Sequence, residues 1–343
     1  MNTDALCSEV QHNCNIVDAK HAGSFTLCTY LMKMREYCRW DKGYSCSDVM
    51  SKEEVGEWVT ERESLWDEIE QHSYQPIQIG DNKFDPFDTD TINASLLPEG
   101  MVYSGGIGAK SIPHFFLAKL EATHSFDDYQ VVISAEECAR DLSAPPAMTL
   151  QNKIFIRKES VKRMLWEKVQ EAQWNNLENA MSKAISYYDF KGDIDAALDQ
   201  MTEVEVTSII LHERGEIEAS KEFNNRWKEL LATVTSSRLE LMLRGIKDFY
   251  ADSLITLPAL IDQSRIPSLH FYAGNMSAMR KELSPSFMKA YKDWCCNEDA
   301  KQFRQWVSKS KLHWQKIMSD ILMMREQNQK EMEIEDFIQR NYL

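Results

Sequence analysis

The sequence predicts an α+β protein: N-terminal helices with a small, mainly antiparallel sheet, then a C-terminal all-α helical bundle. Three observations carry this. Apolar residues recur at helical spacing as far as Gln71. From Pro76 short aromatic and β-branched runs replace that spacing. After Glu159 the helical period returns and persists. At 343 residues the chain has room for two domains of about 150 residues each. The expected division is a mixed α/β domain over 1–165 and a helical domain over 166–343.

Apolar residues make up 43% of the chain and tryptophans number nine, enough for proper cores. A net charge of −15 argues against a broad nucleic-acid surface, which needs a Lys/Arg excess, and against adsorption to anionic lipid. No apolar run is long enough to span a bilayer, and MNTDALCSEV lacks a basic stretch followed by an apolar one. The expected location is therefore cytoplasmic. The eight cysteines are expected as free thiols there. Cys7, Cys14, Cys28, Cys38 and Cys46 fall early, without the close pairs of a structural zinc site. Cys7, Cys14, His21 and Cys28 are spaced by seven and would align on one helix, but Gly23 interrupts it. Buried thiols acting as small hydrophobes are the simpler reading.

In chain order, 18–40 reads as a helix with Phe25, Cys28, Leu31, Met32 and Tyr37 on its apolar side. Ser51-x-x-Glu54 is a capping-box pattern that starts a second helix over 51–71, whose stripe includes Val55, Trp58, Leu65 and Trp66. Strands are expected at 101–103, 115–120, 130–133 and 153–157. A brief helix starting at Ser134 and a loop around Pro145 and Pro146 separate the last two. Ser104-Gly-Gly-Ile-Gly108 reads as a hairpin turn, not a phosphate cradle, because Pro113 and a strand follow instead of a helix N-terminus. Helices are then expected over 160–173, 177–188, 202–231, 236–257, 277–294 and 301–325. The charged stretch 327–335 is expected to be a solvated helix end or an interaction tail.

The 202–231 helix carries the chemistry. With about 100° per residue, Glu205, His212 and Glu216 fall within about 40° of one another, on the arc that holds Ile209, Phe223 and Trp227. Glu213 lies at its edge. Buried carboxylates are costly unless paired, hydrogen-bonded or metal-bound. His212 and Glu216, one turn apart, suit chelation of one ion. Thr202-x-x-Glu205 also matches a capping box, an alternative role for Glu205. The next helix offers Arg244, Asp248 and Asp252 at successive i,i+4 positions, with Gly245 allowing close approach. Arg244 is the simplest partner for Asp248. His270, after Pro267, is a further nitrogen donor, and Arg280 follows on the next helix.

Glu205-x6-His212 resembles the first ligand pair of haem-oxygenase-like di-iron oxidases. The second half of that pattern, His-x3-Asp-x2-His, is absent: Asp248-x3-Asp252 has no histidine beside it. His212-Glu213-Arg214-Gly215-Glu216 resembles the metallopeptidase H-E-x-x-H helix, with Glu216 in place of the second histidine.

These residues lead to the expectation of a metal-dependent enzyme, a non-haem iron or manganese carboxylate oxidoreductase acting on a small molecule. Its ligands are drawn from His212, Glu216, Glu205, Asp248, Asp252 and His270, with Glu213 as catalytic base. Iron or manganese suits mixed carboxylate–imidazole ligation, with zinc third. The alternative is a non-catalytic helical interaction or assembly protein that binds a protein partner and whose buried acids pair with Arg244 and Arg280. Neither nucleic acid nor membrane is an expected partner.

Overall fold

A computed structural model describes residues 2–108, 111–175, 179–223, 225–297 and 300–343. They cluster into two compact units, 1–167 with 189–206, and 168–188 with 207–343.

In the first unit, α1 (Thr3–His21) is capped by Asn2, whose side chain accepts the Ala5 amide. A 3-10 turn at Ala22–Ser24 ends it, and α2 (Leu27–Asp41) starts afresh on the Thr26 cap. The single helix expected over 18–40 is thus two helices, and Cys28 does not share a helix with Cys7, Cys14 and His21. All eight cysteines are free; Cys14 is buried and donates to the Phe115 carbonyl. α3 (Lys52–Ile69) opens on Ser51, which accepts the Glu54 amide at 3.1 Å, as the capping pattern predicts.

A hairpin of β1 (Ile77–Ile79) and β2 (Asn82–Phe84) and the short α4 (Thr89–Leu96) precede the main sheet. That sheet comprises β3 (Met101–Ile107), β4 (Pro113–Ser125), β5 (Gln130–Arg140), β6 (Ala147–Leu150) and β7 (Lys153–Arg157), in the order β3-β4-β5-β7-β6. Among the described residues its β5–β7 pairing is parallel and the other three are antiparallel. Leu6, Val10 and Val17 of α1 share a core with Tyr103, Phe115 and Leu117 of the sheet.

Two local expectations fail here for identifiable reasons. Gly105 and Gly106 lie inside β3, not in a turn; a side chain on Gly105 would collide with the Pro86 carbonyl oxygen. Residues 134–137 extend β5 instead of forming a helix, because Ser134 stays in register with Arg157 and Glu137 turns inward to receive the Arg157 guanidinium at 3.0 and 2.8 Å. The loop expected at Pro145 and Pro146 is present, and it leads into an additional strand, β6, which pairs with β7.

α5 (Lys158–Asn175) and α7 (Ile194–Phe223) each contribute residues to both units. The second unit adds α6 (Ala180–Ile185), α8 (Arg226–Thr233) and α9 (Ser237–Ala251), which passes into a π-helical turn at Asp252–Thr256. Then come α10 (Leu257–Asp262), α11 (Ile266–Gly274), α12 (Ala278–Leu283), α13 (Pro285–Asn297), α14 (Ala300–Glu326) and α15 (Glu331–Arg340). Its core joins Leu243, Ile246 and Phe249 of α9 to Trp314, Ile317 and Ile321 of α14, with the Phe249 and Trp314 rings stacked.

The helix expected over 202–231 begins at Ile194 and ends at Phe223. Thr202 is therefore interior to it, and its hydroxyl donates back to the Leu198 carbonyl at 2.7 Å, so the capping box with Glu205 does not form. The helix expected over 277–294 is divided at Pro285, which cannot continue a helix from α12. The segment read as a solvated end is instead α15: Ile334 and Ile338 are buried, and Glu331 accepts the amides of Thr235 and Ser236. Among the described residues, no helix is long and apolar enough to cross a membrane.

Candidate metal centre

The polar cluster of the second unit depends on how closely α9 approaches α7. Gly215 of α7 lies against the backbone of Ala251, where a side chain would find the Ala251 carbonyl carbon only 2.9 Å away. His212 and Glu216, on neighbouring turns around Gly215, thereby meet Asp248 of α9 and Asp252 at the start of the π-helical turn. Such turns widen the backbone locally and recur at functional sites.

Asp252 is fully buried and accepts from four donors. His212 Nδ1 lies 2.7 Å from its Oδ1 and Thr256 Oγ1 2.9 Å from the same oxygen; Arg280 Nη2 at 2.6 Å and Tyr272 Oη at 2.9 Å serve Oδ2. Arg280 also packs over the Phe249 ring, 4.5 Å from its centroid, which holds the guanidinium in place. The other His212 nitrogen, Nε2, lies 3.6 Å from Glu216 Oε1, while Glu216 Oε2 takes Lys247 Nζ at 2.6 Å. One donor atom each from His212, Glu216 and Asp248 falls within 4.8 Å of the other two.

Burial opposes every charge here, and the partners decide which survive. Asp252 and Glu216 would be raised by burial, yet His212 with Arg280 holds the first well below the usual carboxylate range, and Lys247 with His212 lowers the second. Asp248 goes the other way: burial raises it despite Arg280 and His212. Burial also disfavours charged His212, but the Asp252 carboxylate, with Glu216 and Asp248, wins and lifts it to about 10. Fully ionised, the three carboxylates face three cations: Arg280, Lys247 and protonated His212. With His212 neutral, one negative charge is left over, and Nε2 becomes a lone-pair donor beside two carboxylates.

His212, Glu216, Asp248 and Asp252 are thus brought together. Glu205 lies two turns upstream on α7, fully buried, in the portion that clusters with the first unit. His270 sits apart: its Nδ1 is 2.8 Å from the Tyr291 hydroxyl, among the rings of Tyr187, Tyr291 and Trp294, and burial lowers its pKa. Glu213 is half-buried beside His212. Neither Glu205, His270 nor Glu213 belongs to the ligand-distance group. Arg244 does not serve Asp248; it binds Glu240 one turn back at 2.9 Å. Lys247, Tyr272 and Thr256 were not singled out from the sequence. Thr256 carries a weak signal, an i+4 hydroxyl after Asp252, whereas Lys247 reaches Glu216 across a helix pair and leaves none.

Two family models match the chain, the N-terminal domain of a "Family of unknown function (DUF6866)" over residues 5–157 and its C-terminal domain over 162–341. No curated protein and no solved structure matches it.

Proposed function

We propose that this chain, which belongs to the DUF6866 family, is a metal-dependent enzyme whose divalent cation is held by His212, Glu216 and Asp248. The observation that carries the reading is the approach of one imidazole nitrogen and two carboxylates to within 4.8 Å of one another, with Asp252 engaging the far nitrogen of the same imidazole. Histidines that ligate metals characteristically donate their other N–H to a carboxylate, which fixes the tautomer and orients the ring. Asp252 is therefore assigned that outer role, not ligation. Mixed carboxylate–imidazole ligation suits iron or manganese, then zinc.

Three protein ligands leave coordination positions for water and substrate, the pattern of catalytic sites as opposed to closed structural ones. The His212 side chain is 30% exposed, so the site is reachable from solvent. A bound cation would supply Lewis acidity or, if redox-active, dioxygen chemistry. The chain's own contributions are orientation of His212 by Asp252, restraint of Glu216 by Lys247, and a proton-carrying role assigned to Glu213 from its place beside the ligand.

One observation favours a second reading. Arg280 on Asp252 and Lys247 on Glu216, each at 2.6 Å, already balance the acids once His212 holds a proton. The cluster is then a structural ion-pair network in a non-catalytic interaction or assembly protein. Metal analysis of protein purified without added metal, followed by manganese and ferrous titration, separates the two. One equivalent per chain, lost in His212→Ala and Glu216→Gln variants that keep their helicity, supports the metal centre. Absence of saturable binding in the folded wild type overturns it and leaves the ion-pair network.

A further inference from the structure

The first unit contains an unrelated polar cavity. It measures about 90 Å³ and its lining includes Lys33, Arg140, Ser143, Ser160 and Arg163, together with the acids Glu36 and Glu167. Glu36 is compensated from its own helix, by Arg35 at 2.8 Å and Arg39 at 3.1 Å. Glu167 acts on Lys33, whose charge is disfavoured by burial and partly restored by that carboxylate. Among the described residues neither of the two arginines hydrogen-bonds to a carboxylate: Arg163 has Glu137 at 3.9 Å, and Arg140 acts on Asp18 and Glu159 only through space.

Arg140 is 2% exposed. Its Nε donates to the Asp141 carbonyl at 3.1 Å and its Nη2 to the Leu142 carbonyl at 3.4 Å, both neutral acceptors. The guanidinium lies over the Tyr37 and Trp40 rings, so its position is set by stacking. Nη1 is buried and finds no acceptor among the described residues. Arg163 is 8% exposed, and its Nη2 is likewise buried without a hydrogen-bond partner. Its ion-pair partner, Glu137 Oε2, stands 3.9 Å away and already accepts from Arg157 at 2.8 Å. Lys33 Nζ adds a third cation, which donates to the Ser143 carbonyl at 3.3 Å and lies over the Phe25 ring, 5.6 Å from its centroid.

Buried guanidinium N–H groups are normally satisfied, and their best-matched acceptor is an oxyanion that takes two parallel bonds. Two such groups, both with an open N–H, line one cavity large enough for a few heavy atoms. We propose that this cavity binds a small oxyanion of phosphate size, held by Arg140, Arg163 and Lys33. The site shares no residue with the metal centre, and it stands whether or not that centre holds a metal.

The test is calorimetric and thermal-shift titration of the full chain with inorganic phosphate, and in parallel with acetate, against sodium chloride at matched ionic strength. Saturable stabilisation by phosphate, weakened at least tenfold in Arg163→Gln and Lys33→Met variants, is the expected result. Acetate binding lost in the same variants would assign the same cations to a carboxylate ligand, within the oxyanion class. A response no greater than that to chloride, or phosphate affinity unchanged in the variants, overturns the proposal. Should Arg163→Gln fail to fold, Lys33→Met, which removes no buried guanidinium, decides the matter by itself.

Discussion

Gly215 lies so close to Ala251 that any side chain on it would collide with the Ala251 carbonyl oxygen. The obstacle is backbone, which has little freedom to yield. This contact brings His212 and Glu216 within reach of Asp248 and Asp252. Gly215→Ala should therefore destabilise by about 1–3 kcal/mol, more than offsetting the helix propensity that alanine gains. Gly245 provides the control, because the nearest atom to its added methyl is Leu283 Cδ1 at 2.7 Å, the movable end of a side chain. Gly245→Ala should come out near neutral. Urea denaturation of both variants checks the pair; equal losses would mean that helix approach at Gly215 is not special.

Asp252 is the most heavily served carboxylate of the site, and removing its charge strands the cations around it. Asp252→Ala should cost about 3–5 kcal/mol in metal-free protein, because Arg280 and His212 lose the carboxylate that both hydrogen-bond to in a low-dielectric site. Arg244→Ala, by contrast, breaks only a partly exposed i,i+4 pair with Glu240 and should cost about 0.3–0.5 kcal/mol. Denaturation midpoints of the two variants give the contrast directly. An Arg244→Ala loss as large as that of Asp252→Ala would mean that the acids lean on Arg244 after all.

What could be read beforehand was local. The Ser51 cap, the strands near 101, 115 and 153, and the shared arc of His212 and Glu216 all follow from spacing over a few residues. What escaped was decided by distant neighbours. Residues 134–137 carry a helix-start pattern, but Arg157, twenty residues on, draws Glu137 into the sheet. Thr202 fits a cap only if a helix starts there, and the helix starts at Ile194. Arg244 stands one helical turn before Asp248, yet the guanidinium that reaches the cluster comes from Arg280, on a helix three elements later. Local pattern identified the acids and the histidine; only packing could say which cations answer them.

Glu159 should make the first unit less stable as pH rises. Its carboxylate is half-buried, accepts the Glu137 amide at 2.6 Å and sits near the Glu137 charge. Burial first, then Glu137, lifts its pKa from 4.5 to about 7. The folded state thus binds the proton more tightly than the unfolded one. Its contribution is most favourable below the unfolded value and is lost as pH climbs through about 7. Glu159→Gln should flatten the fall in stability between pH 5 and about 8 and gain relative to wild type at the upper end. Thermal melting of both proteins across that range is the measurement; parallel pH profiles would contradict it.

His212 reports on the metal centre through its proton. In the metal-free protein it faces Asp252, Glu216 and Asp248 on the acidic side, with Arg280, Lys247 and Tyr272 close by. Burial lowers its pKa, the three carboxylates overcome that, and the net result is a rise from 6.5 to about 10. The raised value means stabilisation that is complete below 6.5 and lost as pH climbs through about 10. Side-chain NMR of histidine, compared with a His212→Gln variant, should show one imidazole that stays protonated past pH 8. A cation at Nε2 must displace that proton, so manganese uptake should release close to one proton near pH 8. Apparent affinity should rise by about tenfold per pH unit until the histidine is neutral. Manganese binding with no proton release and no pH dependence would place the ion elsewhere, because a ligating His212 has to lose its Nε2 proton while keeping Nδ1–H on Asp252.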